Sequence, residues 1–282
     1  VDAMISAMVE AYGVDTDRVF VTGISNGGMM TFRVGCERSD KVRALADADA
    51  DGDLDLLVPA PQTIYRNDGE GGYSAVQREE AGLPKARQAA AQWADHDLDG
   101  RLDVHLIPSG LFRQTEGGRF EPTGFLRFGE GDSGRNAIAS WFDADGDGGL
   151  DVFAVVERPF RNASVAQTPW VAALFLDRGA SGGALVLDLV GPMENPDAVG
   201  ARVRLTVDGR TRLLSPLAQE TSRRSSGNRE IVAGLGDATR ADRIEVIWPD
   251  GARSAAEGVA AGAYEWRQGD PAPTPRVGAC RG

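Results

Sequence analysis

Histidine and cysteine are scarce in this chain of 282 residues, with two of each. Cys36 and Cys280 lie far apart, so no disulfide framework is implied and the redox compartment stays open. His96 and His105 are the only imidazoles, which confines any histidine-based chemistry to two positions. No run of eighteen apolar residues occurs, so no transmembrane helix is expected. Basic residues are outnumbered, 30 to 42, and the net charge of −12 makes nucleic acid a poor partner. The opening "VDAMISAMVEAYG" has neither an initiator Met nor a basic leader region. It is no signal peptide, and the true N-terminus is expected to lie upstream. Glycine, by contrast, is abundant at 36 residues, which suggests many turns and favours β structure. An apolar content of 42% and a charged content of 26% are ordinary for a soluble globular protein. The length admits one large domain or two to three smaller ones.

Val1, Met4, Ile5, Met8, Val9 and Tyr12 fall on one face of a helix, and Gly13 is a suitable stop. "DTDRVFVTG" then suits a short buried strand, "GISNGG" a sharp turn, and "MMTFRVGCERSD" a second helix. The turn contains G-x-S-x-G with Ser25 at its centre, in the strand–turn–helix context of a nucleophile elbow. This stretch resembles the polyhydroxybutyrate-depolymerase and feruloyl-esterase group of α/β-hydrolases. The resemblance implies Ser25 as nucleophile, with the amide of Asn26 in the oxyanion hole. A nucleophilic serine needs a general base, which in this fold follows it in the chain. His96 lies within "DHDLDG" and His105 within the apolar run "LDVHLI"; neither sits in a loop after a late parallel strand. Residues 1–45 therefore read as a hydrolase remnant without its triad.

From residue 46 the chain changes character. "DADADGDLD" begins at Asp47, "DHDLDGRLD" at Asp95 and "DADGDGGLD" at Asp143, a period of 48 residues. A fixed period of this length signals stacked or radially arranged units. Each loop is followed by an aromatic and an arginine, at Tyr65, Phe112 and Phe160. The first two units add a glycine pair and a second aromatic, Tyr73 or Phe120, so that each reads as strand, turn, strand.

Numbered from its first Asp, each loop places carboxylates at positions 1, 3, 5 and 9. Glycine at position 6 permits the sharp turn. The candidate side-chain ligands are Asp47, Asp49, Asp51 and Asp55; Asp95, Asp97, Asp99 and Asp103; and Asp143, Asp145, Asp147 and Asp151. The carbonyls of Asp53, Arg101 and Gly149 stand at position 7. Hard oxygen donors in that number select Ca²⁺, which implies about three ions. Four carboxylates within nine residues repel one another without a cation. Arg101 weakens the second site. An EF-hand needs its closing Glu at position 12 and flanking helices, whereas here position 9 closes the loop and an apolar strand follows. Solvated acidic turns that stay empty are the structural alternative.

The repeats, over roughly 43–178, resemble the FG-GAP/VCBS family, which implies antiparallel propeller blades with Ca²⁺ loops between strands. Three units are too few to close a propeller. Further on, "GALVLDLVG", "GARVRLTVDGRTRLL" and "DRIEVIWPDGARS" alternate apolar and polar residues around the turn signals "VDGR" and "PDGA". Val203, Leu205 and Val207 face one way, and Ile244, Val246 and Trp248 repeat the pattern. These residues resemble the ASPIC/UnbV domain, which commonly follows such repeats in cartilage acidic protein-like chains. In place of that family's Gly/Ser-rich stretch stands "PLAQETSRRSSGNREIVAGLG", where Arg223, Arg224 and Arg229 form at most a small basic patch.

The expected fold is mainly β: an incomplete β-propeller-like array of three calcium-loop repeats over 46–178, then a small β-sandwich or barrel over 179–268. A short α/β-hydrolase remnant over 1–45 precedes them, and a Pro-rich tail over 269–282 is expected to be disordered. The expected function is calcium binding with a role in binding or adhesion, in an extracellular, periplasmic or cell-surface setting. The expected partners are calcium and an extracellular protein or carbohydrate, with neither nucleic acid nor a membrane span. A secreted serine esterase using Ser25 is the alternative.

Overall fold

The computed structural model describes residues 7, 10, 11, 46–58, 63–70, 72–85, 90–127, 138–157, 170–177, 183–216 and 229–276. Ala7, Glu10 and Ala11 are helical. The rest of the proposed hydrolase remnant, including Ser25 and Asn26, lies outside the described residues, as do Phe160, Arg223 and Arg224. The described chain is mainly β and forms five small sheets. Three come from the 48-residue units. The first holds β1 (Leu56–Val58), β2 (Thr63–Asn67) and β3 (Tyr73–Val76). A single helical turn, α1 (Arg78–Ala81), follows. The second holds β4 (Ala90–Ala94), β5 (Asp103–Ile107), β6 (Gly110–Gln114) and β7 (Phe120–Pro122). The third holds β8 (Ile138–Phe142), β9 (Asp151–Glu157) and β10 (Trp170–Phe175). All neighbours within these three sheets are antiparallel.

The second unit is the middle of the array, and its central strand shows why the sequence there is continuously apolar. All five residues of β5 are buried. Side chains alternate between faces along a strand. Val104 and Leu106 enter the core shared with the first unit, beside Ile64 and Trp93. Ile107 enters a second core, shared with Trp141 and Val152 of the third unit. His105 points the same way and meets the Trp141 ring edge-on at 5.8 Å. Gln92 and Gln114 bridge the units, donating to the carbonyls of Ala139 at 3.0 Å and Ala48 at 2.9 Å.

The remaining two sheets face each other as a sandwich. One holds β11 (Ala184–Val190), β14 (Ile231–Gly234), β17 (Gly262–Arg267) and β18 (Thr274–Pro275). The other holds β12 (Arg202–Val207), β13 (Arg210–Leu214), β15 (Arg240–Ile247) and β16 (Arg253–Ala260). Leu185, Leu187 and Trp266 of the first sheet share one core with Val203, Leu205, Ile244, Val246 and Trp248 associated with the second. The alternation read in the sequence is thus the inward face of this sandwich. The "VDGR" turn joins β12 to β13 with Asp208 at φ 48° and Gly209 at φ 74°, the left-handed pair that matches strand twist in a two-residue hairpin. One expectation is corrected. The tail is ordered as far as Arg276: β18 pairs with β17, and the Trp266 indole donates to the Asp270 carbonyl at 3.2 Å. Residues 277–282 lie outside the described residues.

The sandwich packs directly on the repeats. Val186 of β11 and Val232 of β14 belong to the same core as Leu98, Leu111 and Trp141. The backbones meet at Gly234, where an added Cβ would stand 2.3 Å from the Leu98 carbonyl. Gly236 then donates its N–H to that carbonyl at 2.9 Å. Only glycine permits this approach. Gly234→Ala is therefore expected to cost about 1–3 kcal/mol by overpacking, read as a lower midpoint in chemical denaturation with a β-type circular dichroism spectrum retained.

Candidate metal-binding loops and the domain joint

The three acidic loops share one backbone. The N–H of the position 6 glycine donates to the position 1 carboxylate: Gly52 to Asp47 at 3.2 Å, Gly100 to Asp95 at 3.2 Å, and Gly148 to Asp143 at 3.0 Å. Those glycines have φ of 96°, 88° and 90°, so the sharp turn does require glycine. Position 5 closes a local turn on the N–H two residues on, as Asp51 does with Asp53 at 3.0 Å and Asp147 with Gly149 at 2.8 Å.

Position 9 has a different role from the carboxylates at positions 1, 3 and 5. Asp55, Asp103 and Asp151 are fully buried. In each, Oδ2 accepts the N–H of position 2, from Ala48 at 2.8 Å, His96 at 3.1 Å and Ala144 at 2.7 Å. Oδ1 accepts an N–H from the neighbouring strand or its end, from Asn67 at 2.9 Å, Gln114 at 2.7 Å and Asp177 at 2.7 Å. One carboxylate thus ties the start of the loop to the adjacent strand in all three units.

The carboxylate oxygens converge in threes rather than fours. Asp47, Asp49 and Asp55 bring ligand atoms within 4.8 Å of one another, as do Asp95, Asp97 and Asp99, and Asp143, Asp145 and Asp151. A fourth such group is His96, Asp97 and Asp103. Asp51 and Asp147 stay outside the converging trios of their loops, and Asp103 outside the Asp95 trio. Burial raises the carboxyls of Asp47, Asp55 and Asp95 to about 7 from an ordinary 3.8. Burial also pushes Asp143 upward.

The arginine after each aromatic proves to be part of its loop. Arg66 reaches Asp49 at 3.4 Å, and Arg113 reaches Asp97 at 2.5 Å, both at position 3. The equivalent Arg161 lies outside the described residues. The recurrence of an aromatic–Arg pair at a near-constant distance after each loop was the signal for this role. No comparable signal marks the partners from the sandwich. Leu213 donates its N–H to Asp47 Oδ2 at 2.8 Å. Gly234 donates to Asp95 Oδ2 at 3.1 Å, and the buried Arg212 contacts Asp95 at 3.4 Å and the Gly100 carbonyl at 2.7 Å. Position 1 of the first two loops is thus also a joint to the sandwich. Between these loops and the β12–β13 hairpin lies a polar cleft of about 990 Å³, with Asp49, Asp99, Arg113, Asp208 and Asp237 in its walls.

Residues 47–106 match the family model of the FG-GAP-like repeat, and residues 191–269 match that of ASPIC and UnbV. The chain thus carries an FG-GAP-like repeat segment followed by an ASPIC and UnbV domain. The matched repeat segment holds the first two loops, and the third follows by its shared backbone. No curated protein matches the chain.

Two outcomes follow from the buried carboxylates. Asp55→Ala strands the N–H groups of Ala48 and Asn67, so it is expected to cost about 2–4 kcal/mol, measured by urea denaturation. The second concerns pH in the presence of a chelator. A carboxyl raised from 3.8 to about 7 by the fold contributes stability that is full below 3.8 and lost as pH rises through 7. His96 acts in the same sense: burial opposes its charge, but its bond to Asp103 and the negative charges of Asp103, Asp97 and Asp95 together outweigh this and raise its pKa. The melting temperature in EDTA should therefore fall from about pH 5 to about pH 8, and a rise would refute the assignment.

Proposed function

We propose that this chain is a calcium-binding repeat protein of extracellular type, serving in binding or adhesion and not in catalysis. The observation that carries the reading is the convergence of a carboxylate trio, positions 1 and 3 with one further Asp, in each of the three loops. Donor sets of hard oxygen suit Ca²⁺ better than softer metals. Buried carboxylates that repel one another are costly when charged, and a divalent cation meets that cost. Millimolar calcium outside the cell or in the periplasm keeps even weak sites filled. Among the described residues, no helix is long and apolar enough to cross a membrane.

A binding role is supported by exposed apolar side chains at and beside the third unit. The cross-strand partners Phe153 and Leu174 are exposed on one face of β9 and β10, and Phe125 and Phe175 are exposed with their rings 5.7 Å apart. Clustered apolar side chains of this kind mark interaction surfaces, and an extracellular protein or carbohydrate is the partner class they suit. Against catalysis stand the two imidazoles. His96 is held by Asp103, and His105 is buried in β5, where burial lowers its pKa to about 3.

Calcium added to chelator-treated protein should raise the melting temperature by mass action. Each site contributes about 2.7 kcal/mol when free calcium is a hundred times its Kd. Differential scanning calorimetry reads the shift, and indifference to both Ca²⁺ and EDTA would refute the proposal.

A further inference from the structure

The three loops share a backbone but not a charge balance. In the second loop every carboxylate has a cationic partner from the protein. Arg113 contacts Asp97 at 2.5 Å and Asp99 at 3.0 Å, and Arg101 pairs with Asp99 as well. Arg212 contacts Asp95 at 3.4 Å, and His96 pairs with Asp103. In the first loop, among the described residues, five aspartates form one such ion pair, Arg66 on Asp49, while Arg204 acts on Asp53 from farther off. In the third, no Lys, Arg or His among the described residues forms an ion pair with Asp143, Asp145, Asp147 or Asp151.

Resting on the calcium reading above, we infer that Ca²⁺ occupies the first and third loops only, and that the second is closed by the guanidinium groups of Arg101 and Arg113. A divalent cation entering the second loop would have to break at least three charge-assisted contacts that cost the chain no association entropy. It would also be left beside the displaced cations, at separations where like charges repel. The Asp95, Asp97 and Asp99 oxygens still converge, and Asp97 Oδ1 is buried without a hydrogen bond. The donor geometry of a site is therefore present, and what excludes the ion is charge. Arg101 and Arg113 keep a quarter and a half of their side-chain surface exposed, so both can be truncated without emptying a core.

Isothermal titration calorimetry with calcium alone, on chelator-treated full-length chain, tests this. The wild type should bind two ions and the Arg101→Ala/Arg113→Ala variant three. Asp99→Asn should leave the count at two, while Asp145→Asn should reduce it to one. Circular dichroism establishes that each variant is folded before its count is read. Three ions in the wild type, two in the double variant, or a loss on Asp99→Asn would each overturn the inference while leaving calcium binding intact. No heat in the wild type or the double variant would overturn the calcium reading and this inference with it.

Discussion

A carboxylate taken out of water must find a donor for each oxygen, and the three repeats meet that demand in one way at position 9. Asp55, Asp103 and Asp151 each accept one N–H from their own loop and one from the neighbouring strand or its end. Those bonds set where the loop begins relative to the strand beside it. Once that is set, the position 6 glycine can fold back onto position 1, and carboxylate oxygens of positions 1 and 3 are brought close together. The position 9 carboxylate thus builds the site whether or not it also ligates. The loops would keep their shape through repeats that differ widely elsewhere, as the irregular third unit does.

The same demand joins the two halves of the chain. Asp47 and Asp95 begin their loops, yet both accept hydrogen bonds from the sandwich, through Leu213 and Gly234. The Gly234 contact is possible only because no Cβ intervenes against Leu98. Arg212 then crosses from β13 to the second loop. A buried ion pair of this kind is weak evidence for stability, because desolvation consumes much of its attraction. Its effect here is on placement. The guanidinium fits one carboxylate and one carbonyl of the loop, and the apolar contacts of Val186 and Val232 supply the favourable burial.

Much of this was legible in the sequence. The 48-residue period, the Gly at position 6 and the apolar run after position 9 mark loops that lead into strands, because local geometry demands those residue types. The inward faces of the sandwich follow from period-two alternation in β12 and β15. What was not legible depends on long-range contact. Position 9 looks like any ligand in a linear motif, and one of its two backbone donors comes from a chain segment whose approach the motif does not encode. Gly234 reads as a strand residue until its neighbour is known. The tail was misread because "GDPAPTP" has the composition of a disordered segment, whereas one strand edge, β17, is enough to order it as far as Arg276.

Position in the array explains why one nine-residue pattern carries two charge states. The second loop lies in the middle, covered by the sandwich, with Asp95 only 3% exposed. Cover brings neighbours, and where neighbours carry arginine, the loop's negative charge is met from within. The third loop lies at the end of the array, with Asp145 and Asp147 exposed and no protein cation in contact among the described residues. Its charge is left for solvent or a bound ion to balance. On the inference above, the loop most closely tied to the sandwich is the one least free to take up a metal.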